Sequence, residues 1–250
     1  MNRNKLWVGL IGLLAFVTSL SAKDYQAVMF GIKSDGVTLN TRSIQRAVDY
    51  ISEQGGGRLV FYVGRYLTGS VELKSNVTIR IEEGAVLVAS PSVYDLKGPD
   101  GCNALFYAVK QKNIGIGGKG IIEGRSAAVR ASIEDQLQKG HIQGAVADYE
   151  PALVCLEGCK EVKIEQLTLQ DAGRTAEVYK DCRNVTVDKV VVHGGTSGQK
   201  AVSVSGCDGL EMTDCYFDVE AEPLQTDGTS RRLSFMNCVT PDGKKVSCEK

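Results

Sequence analysis

"CKEVKIEQLTL" (residues 159–169), "CRNVTVDKVVV" (182–192), "CDGLEMTDCYF" (207–217) and "SRRLSFMNCVT" (230–240) align without gaps, their starts 23, 25 and 23 residues apart. In each, apolar residues alternate with polar ones: Val162 and Ile164, Val185 and Val187, Leu210 and Met212, Leu233 and Phe235. A period of two marks a strand with one buried face, because successive side chains point to opposite sides. Earlier runs, "NVTIRIEEGAVLVAS" (76–90) and "NIGIGGKGIIEG" (113–124), share the pattern at less even spacing. The interval is too short for a propeller blade and holds no helix of a leucine-rich repeat. The pattern predicts an all-β parallel solenoid, one repeat per rung, with equivalent residues stacked about 4.8 Å apart.

The cysteines follow the same columns. Cys159, Cys182 and Cys207 occupy one repeat position, and Cys215 and Cys238 another. A thiol packs as a small apolar group, so the eight cysteines are expected to be mostly free and buried. There is no C-x-x-C pair, and His141 and His193 are the only histidines, so no metal site is expected.

The chain opens "MNRNKLWVGLIGLLAFVTSLSAKDY". Arg3 and Lys5 precede an apolar run from Leu6 to Val17, and small residues follow. That is the layout of an export signal over 1–22, cleaved after Ser21 or Ala22, and the run is too short to span a bilayer. The expectation is a secreted or periplasmic protein with one domain, residues 23–250. Residues 1–22 hold two basic residues and no acidic one, so their removal shifts the net charge from −1 to −3. Nothing in that balance suggests a nucleic-acid partner, and none is expected.

A solenoid needs its open end covered. In "LNTRSIQRAVDYISEQGGG" (39–57), Asn40 or Thr41 is placed to cap a helix. Ile44, Ala47, Val48 and Ile51 form its apolar stripe, and Gly55 closes it. The polar tail "TPDGKKVSCEK" (240–250) offers no such cap, which leaves self-association through the last rung open.

Residues 30–90, "FGIKSDGVTLNTRSIQRAVDYISEQGGGRLVFYVGRYLTGSVELKSNVTIRIEEGAVLVAS", resemble the N-terminal part of the polygalacturonase family, glycoside hydrolase family 28. The features that carry the likeness are F-G-x-x-x-D-G-V, the capping helix, the G-G-G turn, Y-L-T-G and L-K-S-N-V-T. It continues through "NIGIGGKGIIEG" and "CLEGCKEVKIEQLTLQDA" (155–172) and covers nearly all of residues 28–240. The resemblance implies a single-stranded right-handed parallel β-helix of the pectin-lyase-like kind, no cofactor, and a partner of the acidic plant polysaccharide (pectin) class. It also implies inverting hydrolysis, in which one carboxylic acid protonates the leaving oxygen and a carboxylate activates water.

The family's acids lie in an N-T-D segment and a D-D pair one rung later, with G-H-G and R-I-K further on. Carried over on Cys207, N-T-D-G falls on Gly198, Gln199, Lys200 and Ala201, so the aspartate position is Lys200. Carried over on "CYFD", D-D falls on Ala221 and Glu222. No segment matches G-H-G or R-I-K, and His193 is read as a surface residue. The acidic stretch "DCYFDVEAEPLQTDG" (214–228) thus supplies one acid at the catalytic address, with Asp218, Glu220 and Asp227 assigned to turns.

Arg174, Lys200 and Glu222 are expected to begin successive strands and share one column. Glu222 and Asp171 are the candidate catalytic pair, and Lys200 and Arg174 the candidate uronate-binding cations. Three readings stay open: a binder with a degenerate catalytic site, an active hydrolase or lyase (Lys200 then serving as base), and an assembly piece.

Overall fold

The computed structural model describes residues 23–99, 101–194 and 198–247; the expected export signal and Cys248 lie outside them. Three parallel sheets run along one axis. The first, of eight strands, includes Lys160–Glu165, Arg183–Asp188, Asp208–Thr213 and Arg231–Met236. The second has six short strands, among them Thr168–Gln170, Val191–His193 and Tyr216–Asp218. The third, also of six, includes Ala104–Val109, Ala152–Glu157, Thr175–Lys180, Lys200–Ser205 and Leu224–Thr226. Each rung visits all three in turn, which makes a right-handed parallel β-helix.

The repeat alignment is the hydrogen-bonded register. Val162, Val185, Leu210 and Leu233 stand beside one another, as do Ile164, Val187, Met212 and Phe235. Together with Leu169, Val192 and Phe217 of the second sheet they fill the core. The third sheet contributes Phe106, Val154, Val202 and Leu224 in one column, broken by Glu177, which is buried between Val154 and Val202.

The corners require left-handed backbone. One column at the start of the first sheet's strands contains Asn76, Asn113, Glu161, Asn184, Gly209 and Arg232, all at φ between 52° and 82°. Asparagine and glycine tolerate that conformation, and Asn113 Nδ2 donates to Asn76 Oδ1 at 3.0 Å. Glu161 adopts it with φ 54° while its carboxylate accepts from Asn184 Nδ2 at 2.7 Å. Glu161→Asn keeps an acceptor there and relieves the strain, so chemical denaturation should show a gain of about 0.5–1 kcal/mol.

Helix α1 (Thr41–Glu53) covers the N-terminal rung with Ile44, Ala47, Val48 and Ile51 buried. Asn40 precedes it, but its side chain does not cap the helix. Its amide instead donates to the Lys33 and Thr38 carbonyls and accepts from Lys33 N, fixing the chain that leads into α1. A second helix, α2 (Ser126–Gln138), absent from the sequence expectation, lies in an insertion between Ile121–Glu123 and Ala152–Glu157.

The last rung is covered at one corner only, and Arg231–Met236 remains the edge strand of its sheet among the described residues. Val239 pairs with Tyr216 on one side and with Lys245 on the other, and Val246 N donates to Cys238 O at 2.9 Å. The turn between them carries Val246 back under cover while Leu233 and Phe235 stay half-buried.

Among the described residues five cysteines are free and buried, and each thiol donates to carbonyls at a corner, as Cys182 does to Lys180 O at 3.3 Å and Leu156 O at 3.4 Å. Cys102 and Cys155 form a disulfide.

Candidate functional site

The outward face of the third sheet is built from two columns. Tyr107, Cys155, Val178, Ser203 and Gln225 stack in register along one. Thr175 and Lys200 pair in the other, and the same register carried back two residues from Leu224 brings Glu222 beside Lys200. Arg174 is therefore one residue out of the expected column. It sits in the bend before its strand, where its carbonyl accepts from Lys200 N at 3.1 Å. The bend at Gly173 and Arg174 takes up the residue that the spacing assigned to the strand.

Lys200 and Glu222 line one cavity of about 400 Å³ with Gln225, Lys244 and Lys245. Lys200 Nζ donates to Gln225 Oε1, and Lys244 Nζ lies 3.8 Å from Glu222 Oε2. Lys244 comes from the fold-back turn, so the segment that pairs with Val239 also sets a cation against Glu222. Gln225 belongs equally to an adjoining cavity of about 350 Å³, lined also by Asp148, Arg174, Val178, Lys180 and Ser203. The two cavities meet at Gln225.

The insertion walls the adjoining cavity. Glu150, whose side chain is 10% exposed, pairs with Arg130 Nη2 of α2 at 2.6 Å, and Asp148 Oδ2 accepts from Ala145 N at 2.8 Å. Asp148, Lys180, Gln225 and Lys244 were missed in the sequence. Lys180 and Gln225 lay in recognised rungs, and outward alternation from Glu177 and Leu224 was the signal that could have found them.

Asp171 is not brought to Glu222. It is a left-handed corner residue with φ 54°, and its carboxylate accepts the hydroxyl of Ser126 at the start of α2. It belongs to the rung of Thr175–Lys180, two rungs from Glu222, or about 10 Å along the axis. His193 ends a strand of the second sheet, exposed, with Nδ1 3.2 Å from Asp218 Oδ2. Asp227 accepts from Thr229 N at 3.0 Å and Thr229 Oγ1 at 2.7 Å; these bonds, the hydroxyl first, lower its pKa. Glu220 is an exposed residue in a bend.

Chemically, the two cavities present Arg174, Lys180, Lys200, Lys244 and Lys245 against Asp148, Glu150 and Glu222, with Glu150 already paired to Arg130, an excess of positive charge that can hold anionic groups. Inverting hydrolysis asks for two carboxyl groups about 6.5–9.5 Å apart on opposite sides of the bond. Among the described residues, Glu222 has no second carboxylate in the cavity it shares with Lys200; Glu220 and Asp242 join it only in a separate cavity against the fold-back turn, away from Lys200 and Arg174. Among those residues, no cluster of three His, Cys, Asp or Glu side chains could hold a metal ion, and no helix is long and apolar enough to cross a membrane.

Residues 60–248 match the model of glycosyl hydrolases family 28. The chain is 26% identical over 226 residues to an exo-poly-alpha-D-galacturonosidase of Dickeya chrysanthemi, covering 70% of this chain and 37% of that protein. A probable polygalacturonase of Vitis vinifera, 27% identical over 220 residues, is covered over 43% of its length. The chain thus spans less than half the length of these relatives. A solved candidate glycosyl hydrolase from Parabacteroides merdae is 75% identical and superposes with TM-score 0.88 over 91% of this chain and 100% of that one. An exopolygalacturonase from Thermotoga maritima, 19% identical, shares the fold with TM-score 0.72 over 87% of this chain and 60% of its own.

Proposed function

Because this chain belongs to glycosyl hydrolases family 28, we propose that it is an exported protein that holds pectin-type acidic polysaccharide at the two cavities of its third sheet, without the two-carboxylate chemistry of hydrolysis. The observation that carries this reading is the cavity shared by Lys200 and Glu222, where the resemblance leads one to expect a pair of acids. Lys200 and Arg174 contact the uronate carboxylates, and Lys180 and Lys244 extend the positive surface. Glu222, set against Lys244, orients the sugar by accepting hydroxyl hydrogen bonds. Hydrolysis by Glu222 with Asp171 as its partner is the reading that experiment has to separate from this one. The commitment of Asp171 to Ser126 weighs against it.

Affinity electrophoresis tests the proposal. Migration should be retarded in a gel containing de-esterified pectin and unchanged in one containing neutral galactan, with retardation falling as salt is raised. Equal migration in both gels would remove the proposal.

A further inference from the structure

The free thiols stand in two columns whose surroundings differ. Cys159, Cys182 and Cys207 each precede a first-sheet strand that is bonded to neighbours on both sides. Cys215 and Cys238 make the second column. Tyr216 pairs in parallel with Val239, and Val239 N donates to Cys215 O at 3.0 Å, which sets Cys238 beside Cys215 on the next rung. Neighbouring rungs are about 4.8 Å apart, inside the roughly 4.4–6.8 Å that separates the Cα atoms of a disulfide. Cys238 Sγ leans back toward the rung of Cys215, donating to Met212 O at 3.4 Å. The two thiols also hydrogen-bond to each other.

Side chains in register run parallel, so a bridge between them asks the two rungs to draw slightly together. An inner rung, held from both sides, resists that. The rung of Cys238 does not: Arg231–Met236 is the edge strand among the described residues, and Leu233 and Phe235 behind it are half-buried. At Cys238 itself the fold-back turn supplies the cover, through the bond from Val246 N to Cys238 O at 2.9 Å. Cys238 is 1% exposed, and fraying of this edge is the route by which a small reagent reaches it. The bond from Cys215 holds the Cys238 thiol below its ordinary pKa, against burial, while the same bond and then burial push Cys215 up. The thiolate therefore forms first at the residue nearer the open end, and the thiolate is the reactive species.

We propose that Cys215 and Cys238 are an oxidisable dithiol, a modification site at which a low-molecular-weight disulfide closes a bridge between these two rungs. The Cys238 thiolate attacks one sulfur of the small disulfide, forming a mixed disulfide and expelling the other half as a thiolate. Cys215 then attacks Cys238 Sγ and expels the second half. Two cysteine thiols are oxidised to one disulfide, the small disulfide is reduced to two thiols, and the two cysteine protons end on those thiols. The bridge needs no bound glycan, so it stands or falls apart from the function proposed above. It pins the base of the fold-back turn, which places Lys244 beside Glu222.

The test incubates the folded protein with glutathione disulfide, quenches with acid, then unfolds, alkylates and maps the cysteines by peptide mass spectrometry. Cys215 and Cys238 should both lose their alkylatable thiols and appear as one linked peptide pair, while Cys159, Cys182 and Cys207 stay alkylated. A Cys215–Cys238 bridge already present before treatment supports the proposal equally. In Cys215→Ala the mixed disulfide has no partner to resolve it, so Cys238 should keep a glutathione adduct; Cys238→Ala should leave Cys215 unmodified. Full alkylation of both residues in the treated parent would overturn the proposal, as would bridges formed equally within the other column. The map of the parent decides by itself should either variant fail to fold.

Discussion

Replacing Glu177 by glutamine should flatten the dependence of thermal stability on pH. Glu177 lies wholly inside the solenoid between Val154 and Val202, with Tyr179 Oη donating to Oε1 at 3.0 Å and Oε2 without a hydrogen-bond partner. Its titratable neighbours are the Tyr179 hydroxyl and, further off, the Cys215 thiol, and neither supplies a compensating positive charge. Burial pushes its pKa up from 4.5 to about 7, against the smaller lowering from the Tyr179 bond.

The folded state therefore holds a proton that the unfolded chain has already released above its own pKa. This stability is fully present below pH 4.5 and is lost as pH rises through about 7. The shift corresponds to roughly 3 kcal/mol, or about 6–12 °C in melting temperature for a domain of this size. In Glu177→Gln the amide oxygen still accepts from Tyr179 but no titrating proton remains, so the melting temperature of the variant should be nearly level over that interval. Circular dichroism melts across a pH series check this, and parallel slopes in parent and variant would refute the account of Glu177.

The second large effect is on binding. Reversing Lys200 and Arg174 together to Glu should abolish retardation in a pectin gel, and each single reversal should weaken it by about tenfold or more, since a charge-assisted contact contributes roughly 1.5–3 kcal/mol. Lys200 is tied to Gln225, and Arg174 lies in the adjoining cavity at an exposed bend, so the two changes act on one ligand from two sides. Both are outside the core, and the melting curve is expected to hold. Retained mobility shifts in the double variant would place the ligand elsewhere on the molecule.

The solenoid was legible because stacking is itself a sequence property. Val162, Val185, Leu210 and Leu233 align by eye and pair in space, and no long-range inference intervenes. Glu177 was legible in principle, since "TAEVYK" laid on "KAVSVS" sets it against Val202. The Cys102–Cys155 disulfide was not, because its partners are 53 residues apart across the insertion that carries α2, and only counting that insertion as a single corner brings their strands together.

The site was half-legible for a related reason. Lys200 and Glu222 are fixed by the rung repeat, whereas Arg174 depends on how a bend spends one residue, and Lys244 on a turn that folds back over the last rung. Asp171 shows the limit of proximity in sequence: three residues from Arg174, it faces a different corner and serves the insertion's helix.

The most direct measurement is a chromatographic profile of products after incubating the folded protein with de-esterified pectin and rhamnogalacturonan, alongside retention by the same polymers. The account predicts retention of acidic polymer and no released oligosaccharide. Release of saturated fragments would show hydrolysis at Glu222 or another acid, release of unsaturated ones a lyase, and either would contradict the reading of these cavities as a binding site.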